Sequence, residues 1–241
     1  MKMRPMQTKK GFFILGTDTN VGKTTIAVNL LSFLKKNGYS TLGLKPIATG
    51  AQLTEYGLRN SDAVCLQKSA TIHIPYEQVN PFCFLAPVAP HIAAAQQSSQ
   101  LSIDKIMDFC ELSLNLNPDY YVVEGLGGAA VPLNEKETML DLMQQLALPV
   151  ILIVGLRLGC LNHTLLTYEI LRKRNIPLVA CICNQIDPDM LFHEENALYL
   201  KQAMNVPFFS FVHYQNLNTL DFEVCIDWLN LIKAENESFF V

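Results

Sequence analysis

The feature that most constrains this fold is an apolar run at residues 12–15, followed directly by the loop GTDTNVGKTT at residues 16–25. A helical stretch is predicted to follow over residues 24–37. A strand, a tight turn ending in Gly-Lys-Thr and a helix N-terminus together form a cradle for a polyphosphate, since the turn N–H groups and the helix dipole attract anions. The sequence therefore predicts that the chain binds a nucleoside triphosphate at this loop.

Two of these residues have distinct predicted tasks. Lys23 reaches the outer phosphates, and the Thr24 hydroxyl is placed to ligate Mg²⁺. The strict motif has its first glycine at position 17, whereas here it is Gly16. The alternative is an ordinary strand-to-helix turn with a capped helix.

Size and composition indicate one globular unit. With 241 residues, half of them hydrophobic and 17% charged, the chain is long enough to bury a large core. The net charge of −4 argues against nonspecific binding to nucleic acid or to an anionic membrane, because both require a positive surface. The longest apolar stretch, residues 146–156, is too short to span a bilayer and contains Pro149. We expect a cytoplasmic protein with neither nucleic acid nor membrane as a partner.

The seven cysteines carry no metal or disulfide signature. Their number is odd and no Cys-x-x-Cys occurs. Reduced core thiols in a cytosolic protein are the favoured interpretation over metal or redox use.

Apolar runs alternate with amphipathic stretches, which is typical of strand–helix units feeding a parallel sheet. The predicted class is α/β, a doubly wound and mostly parallel sheet flanked by helices, like that of P-loop NTPases. One domain over residues 1–241 is expected, with residues 1–10 as a flexible extension. Residues 71–100 read as an irregular excursion near the ligand crevice, with a short helix near residues 91–97. Strands are predicted at residues 12–15, 41–44, 120–123, 150–154, 179–183 and 208–211, and helices at 24–37, 61–68, 103–114, 138–146, 162–174, 193–204 and 222–233.

Two strands end in charged residues, at the sheet edge where open α/β folds bind ligands. Lys45 closes the strand at residues 41–44, and it either contacts phosphate or lies on the surface with its ammonium in water. Glu124 closes the strand at residues 120–123, the position from which phosphate-loop enzymes hold Mg²⁺. Its alternative is a carboxylate that caps a loop. The glycines after it, Gly125 and Gly127, permit close backbone approach to a ligand.

Three further segments are ambiguous from the residues alone. Ser61 or Asp62 reads as the cap of a helix. Asn162, in a glycine-bounded loop, is either an N-cap or part of a carboxylate site. Asn184 follows a strand and is a candidate for a nucleotide base contact, while Asp187 as a guanine reader is a weaker hypothesis because Gln185 replaces the lysine of that motif.

These motifs occur together and in one order, and the combination closely resembles the dethiobiotin synthetase family. That family comprises ATP-dependent carboxylases that close the ureido ring in biotin biosynthesis, and the similarity covers residues 11–184. The resemblance implies a cytoplasmic homodimeric ligase with ATP as co-substrate and Mg²⁺ as cofactor. Its substrates would be 7,8-diaminononanoate and CO₂.

The resemblance also implies residue roles. The triphosphate would be wrapped by Asn20, Val21, Gly22, Lys23, Thr24 and Thr25. Thr24, Asp62 and Glu124 would bind Mg²⁺, and Lys23 and Lys45 would stabilise charge during phosphoryl transfer. Thr49 would contact the diamine. Gly125, Leu126 and Gly127 would line the nucleotide, and Asn184 with Gln185 would lie at the adenine. The loop Gly159, Cys160, Leu161 and Asn162 would help to hold the substrate carboxylate across the subunit boundary.

Departures from the family fall on the base-binding side. Gln185 stands where the family often has Asp, Ala129 and Ala130 replace bulkier residues, and the base-contact segment within residues 208–216 is hard to place. The rival of another class is a nucleotide-switch ATPase of the partitioning or positioning type. Those proteins carry a second lysine early in the loop, where this chain has Asp18.

Overall fold

The computed structural model describes residues 10–212. The predictions made for residues 1–9 and 213–241, including the helix at residues 222–233, lie outside the described residues.

The centre of the fold is a six-stranded sheet in the order β10-β9-β8-β1-β7-β2, in which every neighbouring pair is parallel. The predicted α/β class with a parallel sheet is confirmed. Two small pairs accompany the sheet: β3 pairs with β6 in parallel, and β4 forms an antiparallel hairpin with β5. The strands are β1 Gly11–Gly16, β2 Thr41–Leu44, β3 Ile47–Ala48, β4 Gln52–Thr54, β5 Gly57–Arg59, β6 Phe82–Cys83, β7 Tyr120–Glu124, β8 Val150–Leu156, β9 Leu178–Gln185 and β10 Phe208–Val212.

Helices cover both faces of the sheet, because side chains alternate along each buried strand. Phe12 and Ile14 pack in one core cluster with residues of α1, whereas Phe13 and Leu15 pack in the other with residues of α5 to α8. The doubly wound arrangement follows from these two apolar layers. The helices are α1 Lys23–Lys36, α2 Ser61–Ser69, α3 Tyr76–Val79, α4 Pro90–Gln96, α5 Ile103–Leu114, α6 Met139–Leu146, α7 Cys160–Lys173 and α8 His193–Ala203.

The segment at residues 71–100 is more ordered than its composition predicts. Besides the expected helix α4, it contains α3 and the strand β6. Strand β6 pairs with β3, the short strand that follows β2. Elements of two to four residues carry too little periodicity to be read from a sequence. The hairpin of β4 and β5 was missed for the same reason.

Two predicted helix caps are wrong. Asn60, one residue earlier than predicted, caps α2, since its side chain accepts hydrogen bonds from the N–H groups of Asp62 and Ala63. Helix α7 begins at Cys160 with Gly159 in the cap position, so Asn162 already lies inside the first turn and is not the N-cap. Helix α7 begins two residues earlier than predicted, whereas α2 begins at Ser61 as predicted and only its cap was misassigned.

Within residues 10–212 no disulfide is present; Cys110, Cys160, Cys181 and Cys183 are buried, whereas Cys65 is exposed. Among those same residues, no helix combines the length and apolar character needed to cross a bilayer.

Two leucines of α8 test the assignment of the core. Leu200 is fully buried, whereas Leu198 is 54% exposed on the same helix. We expect Leu200→Ala to lower the free energy of unfolding by about 2–5 kcal/mol, because it removes buried methyl groups and leaves a cavity. Leu198→Ala should stay within about 0.5 kcal/mol of the wild type. Urea unfolding followed by circular dichroism measures both, and equal losses would contradict the packing of α8.

Candidate active site

The phosphate loop lies between β1 and α1, as predicted, and its backbone is shaped for a close approach. Asn20 and Gly22 have φ angles of 59° and 96°, the left-handed region that favours glycine and, to a lesser degree, asparagine. A Cβ at Gly22 would also lie 2.3 Å from the Asn184 amide nitrogen. Position 22 is thus closed to larger residues by both conformation and space.

Lys23 is buried and already bonded within its own loop. The residue is only 7% exposed, and its Nζ donates a hydrogen bond of 2.7 Å to the Asp18 carbonyl oxygen. Burial, together with the nearby charge of Lys45, lowers the pKa of Lys23 to about 8. The charge of this lysine therefore depends on pH within an ordinary working range.

Lys45 is a buried ammonium held between two carboxylates. The residue is 2% exposed, so the alternative of a surface lysine is wrong. Its Nζ lies 2.5 Å from Glu124 Oε1 and 3.2 Å from Asp62 Oδ2. Burial alone would lower the pKa of Lys45, but the two carboxylates outweigh it and raise the pKa above its ordinary value. Lys45 keeps its positive charge.

Glu124 is a shared acceptor at the end of β7. Its Oε1 accepts from the Thr24 hydroxyl at 3.0 Å as well as from Lys45, while Oε2 is buried without a partner. The structure therefore brings Thr24, Asp62 and Glu124 together around one ammonium group. The carboxylate of Asp62 lies against Lys45, and the interpretation of Asp62 as a helix cap is wrong.

These oxygens suit a hard divalent cation. A hydroxyl and two carboxylates are ligands that Mg²⁺ prefers, with substrate phosphates and water completing its shell. The orphaned Glu124 Oε2 has acceptor capacity to spare. Among the described residues no group of three or more His, Cys, Asp or Glu could hold a metal. One hydroxyl and two carboxylates therefore fit an Mg²⁺ ion whose remaining ligands are phosphates and water.

The glycines after β7 bring backbone against the phosphate loop. A Cβ at Gly125 would lie 2.8 Å from the Phe13 ring, and one at Gly128 would lie 3.3 Å from the Thr17 carbonyl oxygen. Gly127 has a φ angle of 61°, and Leu126 between them is half-buried. Residues 125–128 therefore form a second wall of the site, beside the phosphate loop.

Asn184 lies beneath the loop and braces it. The residue is fully buried, and its amide nitrogen donates 2.9 Å to the Val21 carbonyl oxygen. Its Oδ1 is buried without a hydrogen-bond partner. Gln185 next to it is half-buried at the end of β9. A base contact by these two residues stays a prediction.

The predicted substrate loop leads into α7 without a side-chain cap. Gly159 has a φ angle of 95°, Cys160 is buried, and Leu161 and Asn162 are progressively more exposed. Burial raises the pKa of the Cys160 thiol, so it is not an activated nucleophile. Thr49, half-buried after β3, lies beyond the Lys45 strand end.

Sequence reasoning missed three side chains near this site. The guanidinium of Arg157 pairs with the Asp18 carboxylate and so ties the substrate loop to the phosphate loop. Tyr76 and Asn80, from the excursion, form hydrogen bonds to Asn60 and to Lys45. Arg157 lies two residues before the predicted substrate loop at residues 159–162. Nothing in the pattern of residues 71–100 indicated Tyr76 or Asn80.

Comparison with known sequences identifies the family. A family model described as an AAA domain matches residues 10–219. An ATP-dependent dethiobiotin synthetase BioD of Cellvibrio japonicus (strain Ueda107) is 52% identical over 200 residues, covering 83% of this chain and 87% of that protein. The chain belongs to the dethiobiotin synthetase family.

Further relatives carry the same name at lower identity. The protein of Pseudomonas aeruginosa (strain LESB58) is 43% identical, covering 81% of this chain and 86% of that one. That of Aeromonas salmonicida (strain A449) is 40% identical, covering 86% and 92%. The expectation of an ATP-dependent ligase of this family is confirmed.

Solved structures share the fold at low identity. A putative plasmid partition protein of Borrelia burgdorferi B31 bound to AMPPNP matches with a TM-score of 0.53 and 16% identity, covering 97% of this chain and 98% of that one. The septum site-determining protein MinD of Pyrococcus horikoshii OT3, complexed with Mg-ADP, matches at 0.52 and 17%, covering 85% and 82%. These similarities confirm the P-loop NTPase-like fold and carry no argument about function.

The pKa of Lys23 predicts how nucleotide binding depends on pH. With a pKa of about 8, Lys23 is protonated below that pH and loses its charge above it. The charged fraction falls from roughly nine-tenths at pH 7 to roughly one-tenth at pH 9. We expect ATP, measured without Mg²⁺ by calorimetry, to bind about tenfold more weakly at pH 9.

The matched variant is Lys23→Met, which has no charge to lose. Its weaker ATP affinity should change across this pH range only as ATP itself titrates. A wild-type profile parallel to that of Lys23→Met would show that Lys23 does not titrate in this range.

Proposed function

We propose that this chain catalyses the ATP- and Mg²⁺-dependent carboxylation and ring closure of 7,8-diaminononanoate with CO₂ to give dethiobiotin, ADP and phosphate. The observation that carries the proposal is the meeting of Lys45, Glu124, Asp62 and Thr24 beside the phosphate loop that holds Lys23. The name of the relatives, ATP-dependent dethiobiotin synthetase, supports the overall reaction. The steps below are inferred from the chemistry of the substrates.

The reaction needs three bond-forming steps. One uncharged amine of the substrate attacks CO₂ and loses a proton, giving a carbamate. A carbamate oxygen then attacks the γ-phosphorus of ATP, so that ADP leaves and a carbamic–phosphoric mixed anhydride forms. The second amine attacks the carbonyl carbon, phosphate leaves, a further proton is lost, and the five-membered cyclic urea is complete.

This chemistry requires charge stabilisation and no protein nucleophile. Lys23 would reach the outer phosphates from the cradle, and Lys45 keeps its charge beside the same site. Both ammonium groups would stabilise the transferring phosphoryl group and the carbamate. Ring closure is intramolecular and is favoured by proximity once the substrate is held.

We assign Thr24, Asp62 and Glu124 as the residues that would hold Mg²⁺. When bound, Mg²⁺ neutralises phosphate charge and orients the triphosphate. Glu124 Oε1 is held by Thr24 and Lys45, and this leaves the partnerless Oε2 as its spare acceptor.

The remaining assignments concern the ends of the substrates. Asn184 and Gln185 would contact adenine, for which the partnerless Asn184 Oδ1 offers an acceptor. Thr49 would contact the diamine. The chain would act as a homodimer, in which the loop Gly159–Asn162 helps to hold the substrate carboxylate across the subunit boundary. The first turn of α7 supports this, since it has no side-chain cap and the positive end of the helix dipole attracts anions.

The rival hypothesis is that the chain is a nucleotide-switch ATPase of the positioning type. Such switches carry a second lysine early in the phosphate loop, at the position that Asp18 occupies in this chain. Here Asp18 is a carboxylate engaged by Arg157. Nothing in the described residues favours the switch over the ligase.

A direct assay tests the proposed reaction. The protein is incubated with 7,8-diaminononanoate, bicarbonate, Mg²⁺ and each nucleoside triphosphate in turn, and products are identified by mass. We expect dethiobiotin with ATP in a one-to-one ratio to ADP. ATP hydrolysis that proceeds equally well without the diamine, with no cyclic urea, would contradict the ligase and favour the switch.

Two variants separate catalysis from stability at Lys45. Lys45→Met leaves Glu124 as an uncompensated buried charge, so it should cost about 3–5 kcal/mol of stability as well as about 10²–10³ in kcat. Lys45→Met combined with Glu124→Gln removes both charges and should recover most of the stability but none of the turnover. Urea unfolding and the product assay measure the two effects. Near-wild-type kcat in Lys45→Met would remove Lys45 from the mechanism.

A further inference from the structure

The backbone of Lys45 is clamped by the excursion on both sides. Its N–H donates 2.9 Å to the Val79 carbonyl oxygen, and its carbonyl oxygen accepts 2.6 Å from the Asn80 side-chain amide. Asn80 is 2% exposed. The position of this lysine is consequently set by the last residue of α3 and the residue after it.

The same asparagine continues into a chain of buried hydrogen bonds. Asn80 Oδ1 accepts 2.9 Å from the Tyr76 hydroxyl, and that hydroxyl in turn accepts 2.7 Å from the Asn60 N–H. Tyr76 and Asn60 are each 7% exposed. Burial raises the pKa of Tyr76, so its hydroxyl remains a neutral donor.

Asn60 closes the chain onto the acidic side of the site. Its Oδ1 accepts from the Asp62 N–H at 3.1 Å, which fixes the start of α2. The Asp62 carboxylate then reaches Lys45 Nζ at 3.2 Å. Five residues therefore form a closed ring: Lys45, Asn80, Tyr76, Asn60 and Asp62.

We propose that Tyr76 and Asn80 are positioning residues, which fix the Lys45 ammonium and the Asp62 carboxylate relative to each other through this ring. The inference rests on the proposed function, in which Lys45 stabilises charge and Asp62 holds Mg²⁺. Neither Tyr76 nor Asn80 touches the phosphate loop in the described hydrogen bonds, so their effect passes through their partners. Through this ring, the segment at residues 71–100 would help to position the groups of the site.

The stacking of Arg59 supports the fixed geometry of Tyr76. The guanidinium carbon lies 4.1 Å from the centre of the Tyr76 ring, and Arg59 also pairs with Glu77 at 3.1 Å. The ring plane is thereby held from outside while the hydroxyl is held from inside. A tyrosine serving only as core filling would need neither constraint.

Tyr76→Phe removes the hydroxyl and keeps the ring. We expect the affinity for Mg²⁺ in the presence of AMP-PNP, measured by calorimetry, to fall about tenfold, because Asp62 is no longer held in place. The affinity for AMP-PNP without Mg²⁺ should stay within about twofold, since the phosphate loop is untouched. In the product assay kcat should fall about 10- to 100-fold.

The matched control is Tyr168→Phe. Tyr168 is 8% exposed, and its hydroxyl also accepts from a backbone N–H, that of Asn205 at 3.3 Å. It lies in α7, away from the ring, so Mg²⁺ affinity and kcat should be unchanged. Equal behaviour of the two variants in both measurements would overturn the proposal.

A second variant and a cycle cover the case in which Tyr76→Phe does not fold. Asn80→Asp keeps the acceptor for Tyr76 and loses the amide that donates to Lys45, and the same loss of Mg²⁺ affinity is expected. Combined with Asp62→Asn, either variant should cause no further loss of Mg²⁺ affinity, whereas additive losses would contradict action through Asp62.

The two readouts separate this inference from the proposed function. If the wild type makes no dethiobiotin, the proposed function fails, but calorimetry with AMP-PNP still tests the ring. If the wild type is active and Tyr76→Phe binds Mg²⁺ normally, only the ring fails.

Discussion

The buried contact between Lys45 and Glu124 is the interaction on which the site depends. Both residues are almost fully removed from water, and an ion pair in such a place is retained only when its geometry and further hydrogen bonds offset the cost of desolvation. Here Thr24 and Asp62 supply the additional partners. Because β1, β2 and β7 are adjacent parallel strands, their carboxyl ends deliver these groups to one edge. The meeting of Lys45 and Glu124 is thus a product of strand order.

The segment at residues 71–100 also supports the site, and this support is not apparent when the strands of the main sheet are considered alone. β6 pairs with β3 beyond the end of β2, and the end of α3 brings Val79 and Asn80 against the backbone of Lys45. A lysine on a free loop would lose rotamer and backbone entropy on binding its ligand. Fixing its main chain in advance removes that cost and holds the ammonium where charge develops.

Much of the fold and part of the site were readable from the sequence, for physical reasons. Long apolar runs predicted all six main strands to within two residues at each end, because fully buried strands admit few polar residues. Lys45 and Glu124 stood out because a charge ending an apolar strand is anomalous. The caps at Asn60 and Gly159 were misplaced, since the residues that flank a helix start compete on nearly equal terms. Tyr76 and Asn80 gave no signal: their contacts join segments far apart in sequence, and only the folded chain brings them together. The roles of Asn184, Gln185 and Thr49 remain predictions.

The hydrogen bond from Lys23 to the Asp18 carbonyl has one further consequence. The loop is folded around its own cation, with a main-chain oxygen standing in for phosphate. Ligand entry is then an exchange of one oxygen for another, so the affinity reflects a difference between two contacts rather than the strength of one. A single weak anion gains little from such a trade. A polyphosphate that engages the turn and the helix N-terminus at once makes more contacts that offset this exchange.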